Sequence, residues 1–273
     1  MNKFVIFLVK TAKVVLRPFF PFKVYGDRAF PNKKSLIVGN HVSGWDAVMF
    51  MRNTKNIIPV VYKAEFDNNA FLHWVFSGLD CVPVKRGEVD MTATKGILRL
   101  LKNDKAICLF PEGTRNPTVD CLQEFHTGAA LFAIKTHAPI RPFYIWDKTK
   151  PFHKNYMIFG DEFTLDEFYD QPISHETLEA ATAVIKNKVE ELRLKLNAML
   201  EEKGVKRRKR TKKEIAKLNA YYEQQRLLAE QQAADQAELQ EEEQSSQEVE
   251  QSVDSTTIDE PQPSKDDKTT NED

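Results

Sequence analysis

Short apolar runs alternate with longer segments of helical periodicity over most of the chain. The apolar runs have the length of buried strands and lie at residues 36–39, 57–61, 81–84, 106–110 and 140–146. Helical patterns between them cover residues 69–78, 91–103 and 128–136. A last run, residues 156–159, predicts a strand at the sheet edge. This alternation predicts an α/β fold: a single domain with a mixed, largely parallel sheet flanked by helices.

The first 25 residues have an amphipathic helical pattern. At 100° per residue, four basic residues share a wedge of about 80°, namely Lys3, Lys10, Lys13 and Arg17. A helix lying in a lipid interface has this pattern, and so does a terminal helix packed on its domain. The apolar run 4–9 is much shorter than the roughly 20 residues of a spanning helix, and no cleavage site of a signal peptide follows it. We expect residues 18–22, Pro-Phe-Phe-Pro-Phe, to stop the helix and to add interfacial apolar surface.

The last third of the chain changes in character. Ser174 is a plausible helix N-cap, and the amphipathic pattern after it runs past Leu200 to a break at Lys203–Gly204. A basic run follows at residues 206–213, and from Glu241 the sequence is acidic and rich in Ser and Gln, which predicts disorder. We therefore divide the chain into an interfacial helical segment (1–25), an α/β domain (26–200), a charged helical extension (201–240) and an acidic disordered tail (241–273).

Composition adds two constraints. The 273 residues are 41% hydrophobic and 29% charged, which is enough for one substantial core. The net charge of −1 conceals an excess of Lys and Arg in residues 1–200 and of Asp and Glu in residues 201–273. A basic body suits an anionic substrate or an anionic lipid surface. The three cysteines have no metal or disulfide spacing, so we expect reduced core thiols in a cytosolic compartment.

The stretch NHVSGWD at residues 40–46 joins a predicted strand to a predicted helix. Loops at strand ends are where α/β domains display reactive side chains. On one regular helix His41 and Asp46 would lie about 140° apart, so we expect the turn through Ser43–Gly44 to bring them together. An aspartate bonded to one ring nitrogen leaves the other free as a base. Because no Ser or Cys lies in a nucleophile-elbow pattern, attack by a substrate hydroxyl is favoured over an acyl-enzyme.

A second charged loop, FPEGTR at residues 110–115, follows another predicted strand. Gly113 permits close approach of the backbone to a ligand, and the planar guanidinium of Arg115 suits a phosphate. Arg86 also follows a predicted strand, and we expect the two arginines to clamp one phosphate. A base together with a phosphate clamp indicates a phosphorylated alcohol as substrate.

These loops resemble the motifs of the glycerolipid acyltransferases, specifically the 1-acyl-sn-glycerol-3-phosphate acyltransferase family. His41 and Asp46 match the HxxxxD motif, and residues 110–115 match the FPEGTR motif. The family's second motif is similar to residues 82–87, and its proline-centred fourth motif is similar to residues 138–142. The four motifs occur in the family's order, which makes the resemblance far more specific than a single HxxxxD.

The resemblance implies transfer of a fatty acyl group from acyl-CoA or acyl-carrier protein to the 2-hydroxyl of lysophosphatidate, which makes phosphatidate. His41 would be the base and Asp46 would orient it, while donors near the Gly113–Thr114 turn would stabilise the oxyanion. Substrate binding would fall to Lys85, Arg86, Glu112, Gly113, Thr114 and Arg115. For Glu112 two roles stay open, a bond to a glycerol hydroxyl or a brace within the loop. We expect no cofactor and no metal, and a peripheral location at the cytoplasmic face of the cell membrane.

Other functions stay open on the sequence. The acceptor could be another lyso-lipid. The chain could also be a non-catalytic module, because the basic run at 206–213 could bind an anionic membrane or nucleic acid, or could be a solvated helix face. The absence of interleaved aromatics and of a recognition fold disfavours nucleic acid. A binding module would keep salt-sensitive binding without His41, whereas an acyltransferase would lose turnover.

Overall fold

The computed structural model describes residues 1–28, 30, 33–85, 90–231 and 234. In chain order its named elements are α1 (Lys3–Phe19), β1 (Phe22–Tyr25), β2 (Ser35–Gly39), α2 (Asp46–Asn53), β3 (Val61–Lys63), α3 (Ala70–Gly78), β4 (Val82–Val84), α4 (Met91–Lys102), β5 (Ala106–Leu109), α5 (Gly128–Thr136), β6 (Ile140–Ile145), β7 (Asn155–Phe159) and α6 (His175–Glu202). Short 3-10 turns at Ala64–Asn68 and Asp166–Phe168 complete the set.

The central sheet has five strands in the order β1-β7-β6-β2-β5. Its pairings are parallel except for β6 with β7, which is antiparallel. A second, parallel pair is formed by β3 and β4, and a parallel bridge between Val60 and Cys108 joins it to β5. The strands β2, β6 and β7 are buried at every position, which explains their continuous apolar runs. The predicted α/β fold with a mixed, largely parallel sheet is confirmed.

Helices cover both faces of the sheet. One core contains residues of α4, α5 and α6, including Ile97, Ala133 and Ile185. The other contains Val5 of α1 and Phe50 of α2. Two buried layers explain why strands of the middle of the sheet cannot alternate with polar residues.

Two strands differ from the sequence prediction. The edge is formed by β1, which the pattern missed, so that β7 lies inside the sheet between β6 and β1. The segment 18–22 was expected to stop the helix and to add interfacial surface: α1 ends at the exposed Phe19, but Phe20 is buried and Phe22 begins β1. The strand predicted at 57–61 is shifted toward the C-terminus: Val60 forms only an isolated bridge, and β3 begins at Val61, after Pro59, which has no N–H to donate.

The helix α1 is packed on the domain along one side. Val5 is fully buried and lies against Gly78, where an added Cβ would meet its side chain at 2.6 Å. Lys13 belongs to the basic wedge of the predicted helix, but its Nζ donates to the carbonyl of Thr54 at 2.7 Å. Within the described part of the chain, no helix is both long and apolar enough to cross a membrane.

The C-terminal elements follow the predicted helix limits. Ser174 caps α6 by accepting from Thr177 N–H, and Gly204 ends the helical stretch with φ +65°. From Thr211 the chain belongs to a second compact unit, in which residues 212–231 are helical. Thr211 and Glu214 bond reciprocally at its start, as in a capping box. The predicted acidic tail, 241–273, lies outside the described residues.

The cysteine prediction is correct for two of the three thiols. Cys81 and Cys108 are free and buried, and burial raises the pKa of the Cys81 thiol to about 12. Cys121 is exposed, so its placement in the core was wrong. It lies in the loop after FPEGTR, a position that no hydrophobic periodicity marks.

Candidate functional site

The two charged loops meet because their strands are neighbours. β2 and β5 run parallel, with Val38 opposite Leu109, so NHVSGWD and FPEGTR leave the sheet at the same edge. Asn40 fixes the first loop: its buried side-chain amide donates to the carbonyl of Ile145 at 3.0 Å and accepts from the N–H of Ile145 at 2.7 Å. The loop therefore begins from a rigid point between two strands.

The expected contact between His41 and Asp46 is present. His41 Nδ1 lies 2.9 Å from Asp46 Oδ2, and the same oxygen accepts from the N–H groups of Val42 and Ser43 at 2.6 and 2.7 Å. Asp46 is the first residue of α2, and its N–H donates to the carbonyl of Ser43. The turn thus folds the carboxylate back onto the backbone that carries the histidine. With Nδ1 donating to Asp46, Nε2 is the ring nitrogen left to accept a proton.

Burial governs the electrostatics of this pair. Asp46 is 0% exposed, and desolvation raises the pKa of its carboxyl, while hydrogen bonds from His41, Ser43 and Val42 oppose the rise. The side chain of His41 retains 13% of its exposure and stacks on the ring of Phe110, with centroids 4.6 Å apart. The imidazole is therefore held from two sides and is still accessible to a reactant.

Glu112 joins the two loops. It is buried, and its two oxygens accept from the N–H groups of His41 at 3.0 Å and Gln123 at 3.3 Å. Burial raises the pKa of Glu112 to about 7. Of the two roles left open by the sequence, these bonds favour the brace, because both carboxylate oxygens already have backbone partners.

The turn at Gly113–Thr114 is closed by its own bonds. Gly113 N–H donates to the carbonyl of Phe110 and Thr114 N–H to that of Glu112, so the expected oxyanion donors are already engaged. Gly113 has φ +66°, and a Cβ there would lie 2.6 Å from the His126 ring. A glycine is required at this position for both reasons. Thr114 is exposed, and its hydroxyl donates to the side chain of Gln123 at 3.3 Å.

The predicted basic residues are placed differently from one another. Arg115 is exposed, and its Nη1 lies 3.4 Å from the position that a Cβ on Gly44 would occupy, which brings the guanidinium beside the His41 loop. Lys85 follows β4, separated from β5 by β3, and its N–H donates to the side chain of Asp90. Arg86 lies outside the described residues, so the two-arginine clamp stays a prediction.

Three residues of the site escaped the sequence analysis. Asn40 locks the loop to β6, Phe110 stacks on the imidazole, and Asn116 donates its N–H to the carbonyl of His41 at 2.6 Å. The signal for Asn40 was its position between the apolar run 36–39 and the histidine. Phe110 was hidden as the end of an apolar run. Asn116 has no pattern, because its partner lies in another loop.

Comparison with known proteins agrees with the architecture and the loops. Residues 21–146 match the family model described as Acyltransferase. Through these residues, slightly less than half of its length, the chain is similar to the acyltransferase family. The matched segment begins just before β1 and ends just after β6, so it contains both loops of the site.

Curated relatives match this chain in part. A 1-acyl-sn-glycerol-3-phosphate acyltransferase of Borreliella burgdorferi is 26% identical over 135 residues, which are 48% of this chain and 54% of the relative. The Saccharomyces cerevisiae protein of the same name is 29% identical over 160 residues, 57% of this chain and 52% of the relative. The chain thus spans about half the length of the curated relatives it matches.

A solved structure shares the fold. The 1-acyl-sn-glycerophosphate acyltransferase PlsC of Thermotoga maritima superposes with a TM-score of 0.51 at 22% identity, over 70% of this chain and 78% of that one. Among the side chains that the structure describes, no group of His, Cys, Asp and Glu could hold a metal ion. The expectation of chemistry without a metal or cofactor stays a prediction.

Proposed function

We propose that this chain transfers a fatty acyl group from an acyl thioester to the 2-hydroxyl of a 1-acyl-sn-glycerol 3-phosphate. The observation that carries the proposal is the 2.9 Å bond between His41 Nδ1 and the fully buried Asp46. A buried carboxylate fixes the tautomer of the imidazole and stabilises the imidazolium that forms when the ring accepts a proton. The acceptor, 1-acyl-sn-glycerol 3-phosphate, is proposed because it appears in the names of the curated relatives.

The proposed reaction is a direct acyl transfer. His41 Nε2 takes the proton of the 2-hydroxyl as the oxygen attacks the thioester carbonyl. The tetrahedral intermediate then breaks its carbon–sulfur bond, and the thiolate leaves with the proton from His41. An ester and a free thiol result, and the base returns to its starting state. Acyl-CoA and acyl-carrier protein are both suitable donors, because the reacting thioester is the same.

Recognition of the acceptor phosphate falls to Arg115, in line with its place beside Gly44. A guanidinium binds a phosphate through two parallel hydrogen bonds, which also orient the glycerol. Arg86 and Lys85 are proposed to contribute from the loop after β4. Glu112 acts in this proposal by holding the base and the FPEGTR loop together, since its oxygens bond His41 and Gln123.

Access to a lipid acceptor is proposed to come from binding to an anionic membrane surface. Exposed apolar residues of α1 recur at helical spacing on a side other than the one that packs on the domain: Phe4, Phe7, Leu8, Val14, Val15 and Phe19. At its N-terminal end this surface continues onto α3, because the rings of Phe4 and Trp74 are 6.0 Å apart and those of Phe71 and Trp74 6.1 Å. A contiguous exposed apolar surface of this kind marks an interaction site.

Charge and position support the same surface. The chain has no acidic residue before Asp27, and Lys3, Lys10 and Arg17 are exposed on α1. Each basic residue near an anionic surface contributes about 1 kcal/mol. The far end of α1 touches the catalytic loop, since the rings of Phe20 and Trp45 are 5.3 Å apart. The proposed attachment is peripheral and at the cytoplasmic face.

The decisive experiment is an assay of the purified chain with lysophosphatidate and an acyl thioester, comparing wild type with His41→Ala. The matched control is His175→Ala, which removes an exposed histidine at the start of α6. We expect His41→Ala to lose at least a hundredfold in turnover with unchanged circular dichroism, and the control to keep full rate. A folded His41→Ala with wild-type turnover would remove the mechanism.

A panel of acceptors and donors refines the substrate. Lysophosphatidate is compared with lysophospholipids that carry a headgroup, each with acyl-CoA and with acyl-carrier protein. Faster turnover of a headgroup-bearing acceptor would replace lysophosphatidate by that lyso-lipid. Binding to vesicles or nucleic acid without turnover on any acceptor would instead leave a non-catalytic binding module.

A further inference from the structure

Asp120 collects arginines from two parts of the chain. Arg193 of α6 donates from Nη1 to the carbonyl of Asp120 at 2.7 Å. Arg207 and Arg210, which follow α6, donate to its carboxylate oxygens at 3.1 and 2.6 Å. Partial burial alone would raise the pKa of Asp120, but the bond and charge of Arg210 prevail and lower it. Asp120 lies in the loop that follows FPEGTR.

Arg207 makes further contacts besides the one with the Asp120 carboxylate. Its Nη1 also donates to the carbonyl of Val119 at 2.8 Å, and its Nη2 donates to Asn197 Oδ1 at 3.2 Å. The guanidinium lies over the ring of Trp146, 5.3 Å from the centroid. A planar cation that stacks on an indole and donates along its edges is fixed in orientation.

The loop held by these arginines reaches the catalytic histidine through Asn116. The side chain of Asn116 donates to the carbonyl of Cys121 at 2.9 Å and accepts from Thr118 N–H at 3.0 Å. Its own N–H donates to the carbonyl of His41 at 2.6 Å. The main chain of His41 is thus bonded on both sides, by Asn116 at its carbonyl and by Glu112 at its N–H.

We infer that Arg207 and Arg210 are positioning residues, which hold the loop 116–121 through Asp120 and thereby keep His41 in place for the acyl transfer proposed above. We call the contacts of Arg207 and Arg210 with Asp120 the latch. The latch uses part of the basic run 206–213 for contacts within the protein. The sequence had left three roles open for the run: binding to an anionic membrane, binding to nucleic acid, or a solvated helix face. The inference rests on the proposed function for its kinetic readout.

The contacts work together where a single pair would do little. An isolated exposed ion pair contributes almost nothing, because solvent and salt screen it. Here Asp120 has two arginines on its carboxylate and a third on its carbonyl, and Arg207 gains further bonds and an aromatic face. A network whose side chains are already ordered loses less entropy with each added contact.

The test compares Arg207→Ala, Arg210→Ala and Asp120→Asn with Lys209→Ala. Lys209 carries the same charge in the same segment, is exposed and makes none of the contacts described above. Turnover is measured on a short-chain, soluble lysophosphatidate, which removes membrane binding from the assay. Backbone hydrogen exchange of residues 113–121 is followed in parallel, as a readout of loop order that needs no activity.

We expect kcat to fall about tenfold in the three latch variants, because a shift of about 1 Å far from the chemistry can cost up to a hundredfold. Hydrogen exchange at Asn116 and Asp120 should be faster in the same variants. Arg207→Lys should have a rate between those of Arg207→Ala and wild type, because lysine lacks the planar group that stacks on an aromatic ring and donates two hydrogen bonds. Lys209→Ala should match wild type in both measurements. High salt should lower kcat of the wild type more than that of Asp120→Asn.

The results that would contradict the positioning role can be told from those that would contradict the proposed function. Faster exchange with an unchanged kcat would reduce the latch to a structural contact and overturn its positioning role. Unchanged kcat and exchange, with loss of binding to anionic vesicles, would assign the arginines to the membrane. If wild type shows no transferase activity on any acceptor, the proposed function fails, while unaltered exchange in all three variants would refute the latch independently.

Discussion

Glu112 accepts a hydrogen bond at 3.0 Å from the backbone N–H of His41, a residue 71 positions earlier in the chain. The bond joins the loop after β2 to the loop after β5. A carboxylate that is buried for this purpose has a pKa of about 7, so the brace titrates in the range where the enzyme would work. The protonation state of Glu112 is therefore linked to the position of His41.

Replacing Glu112 by Gln should change how stability depends on pH. Burial raises the folded-state pKa of Glu112 to about 7, above the value of 4.5 that it has when exposed. The native state therefore binds more protons between these values, and the contribution of Glu112 to stability is largest below pH 4.5 and falls as pH rises to 7. We subtract the free energy of unfolding of Glu112→Gln from that of wild type. This difference should fall between pH 4.5 and 7 by an amount on the order of 3 kcal/mol.

The measurement is urea unfolding of both proteins at several pH values from 4.5 to 8. Titration of other groups, such as Asp46, is common to the two proteins and largely cancels in the difference. A difference that is constant across the window would mean that Glu112 titrates as an ordinary carboxyl. One that grows with pH would mean that its hydrogen bonds outweigh its burial.

Asp46→Asn should abolish turnover while the loop stays folded. The amide oxygen can take the place of Oδ2 and accept from His41, Val42 and Ser43, but a neutral amide cannot stabilise the imidazolium that forms when the ring accepts a proton. The amide N–H₂ would lie at the place of Oδ1, which is buried and has no hydrogen-bond partner. We expect a loss of about 10² to 10⁴ in kcat, measured beside thermal unfolding.

Asp46→Ala is the companion to that variant. It leaves the N–H groups of Val42 and Ser43 without their acceptor, so it should lose stability as well as turnover, by about 1–3 kcal/mol. Equal stabilities of the Asn and Ala variants would show that the backbone bonds contribute nothing to the turn.

Arg115→Lys should raise KM for a phosphate-bearing acceptor about tenfold, because lysine lacks the planar fork that donates two parallel bonds. Lys95→Arg on α4, a basic exchange of the same size away from the loops, is the control. Steady-state kinetics with varied lysophosphatidate gives the result. A KM equal to that of wild type would show that Arg115 does not bind the phosphate, and Arg86→Lys would then be the variant to measure.

Gly113→Ala should impair both folding and activity. The new Cβ would lie 2.6 Å from the His126 ring, and φ +66° is unfavourable for alanine by about 1–2 kcal/mol. Removing the ring in the double variant Gly113→Ala/His126→Ala should recover the steric part of the loss and leave the backbone part. Thermal unfolding of wild type and of the two variants separates the steric part from the backbone part, and no recovery in the double variant would place the whole cost in the backbone.

Membrane attachment should depend on the exposed aromatics that α1 and α3 share. Deletion of residues 1–18 would also remove the packing of Val5, so substitution is the sharper test. Phe4→Ser/Phe7→Ser/Trp74→Ser should release the protein from anionic vesicles and slow acylation of a membrane-embedded acceptor, with little change on a soluble one. Leu194→Ser, which removes an exposed apolar residue of α6, is the control.

Co-sedimentation with vesicles at low and moderate salt measures the attachment. Retention of the triple variant on vesicles would place the membrane contact elsewhere. If the wild type binds at low salt and is released at moderate salt, the lysines of α1 hold the protein at the surface more than its apolar side does.

The sequence by itself determined the architecture, because burial on both faces of a sheet forces continuous apolar strands and amphipathic helices between them. It also predicted residues for the proposed chemistry, since His41, Asp46 and Arg115 lie in short polar stretches directly after apolar runs. The caps at Ser174 and Gly204 are local and were equally predictable. Helix caps are predictable because the residues that interact are only a few positions apart in the sequence.

Tertiary structure alone decided the contacts between distant segments. That β1 takes the sheet edge, that Lys13 bonds Thr54 and that Arg207 reaches Asp120 are results of packing, and no spacing in the sequence encodes them. The role of Glu112 was left open for the same reason: its partners are backbone groups, which every residue has. A side chain shows its chemistry in the sequence, but its partner is selected only when the chain folds.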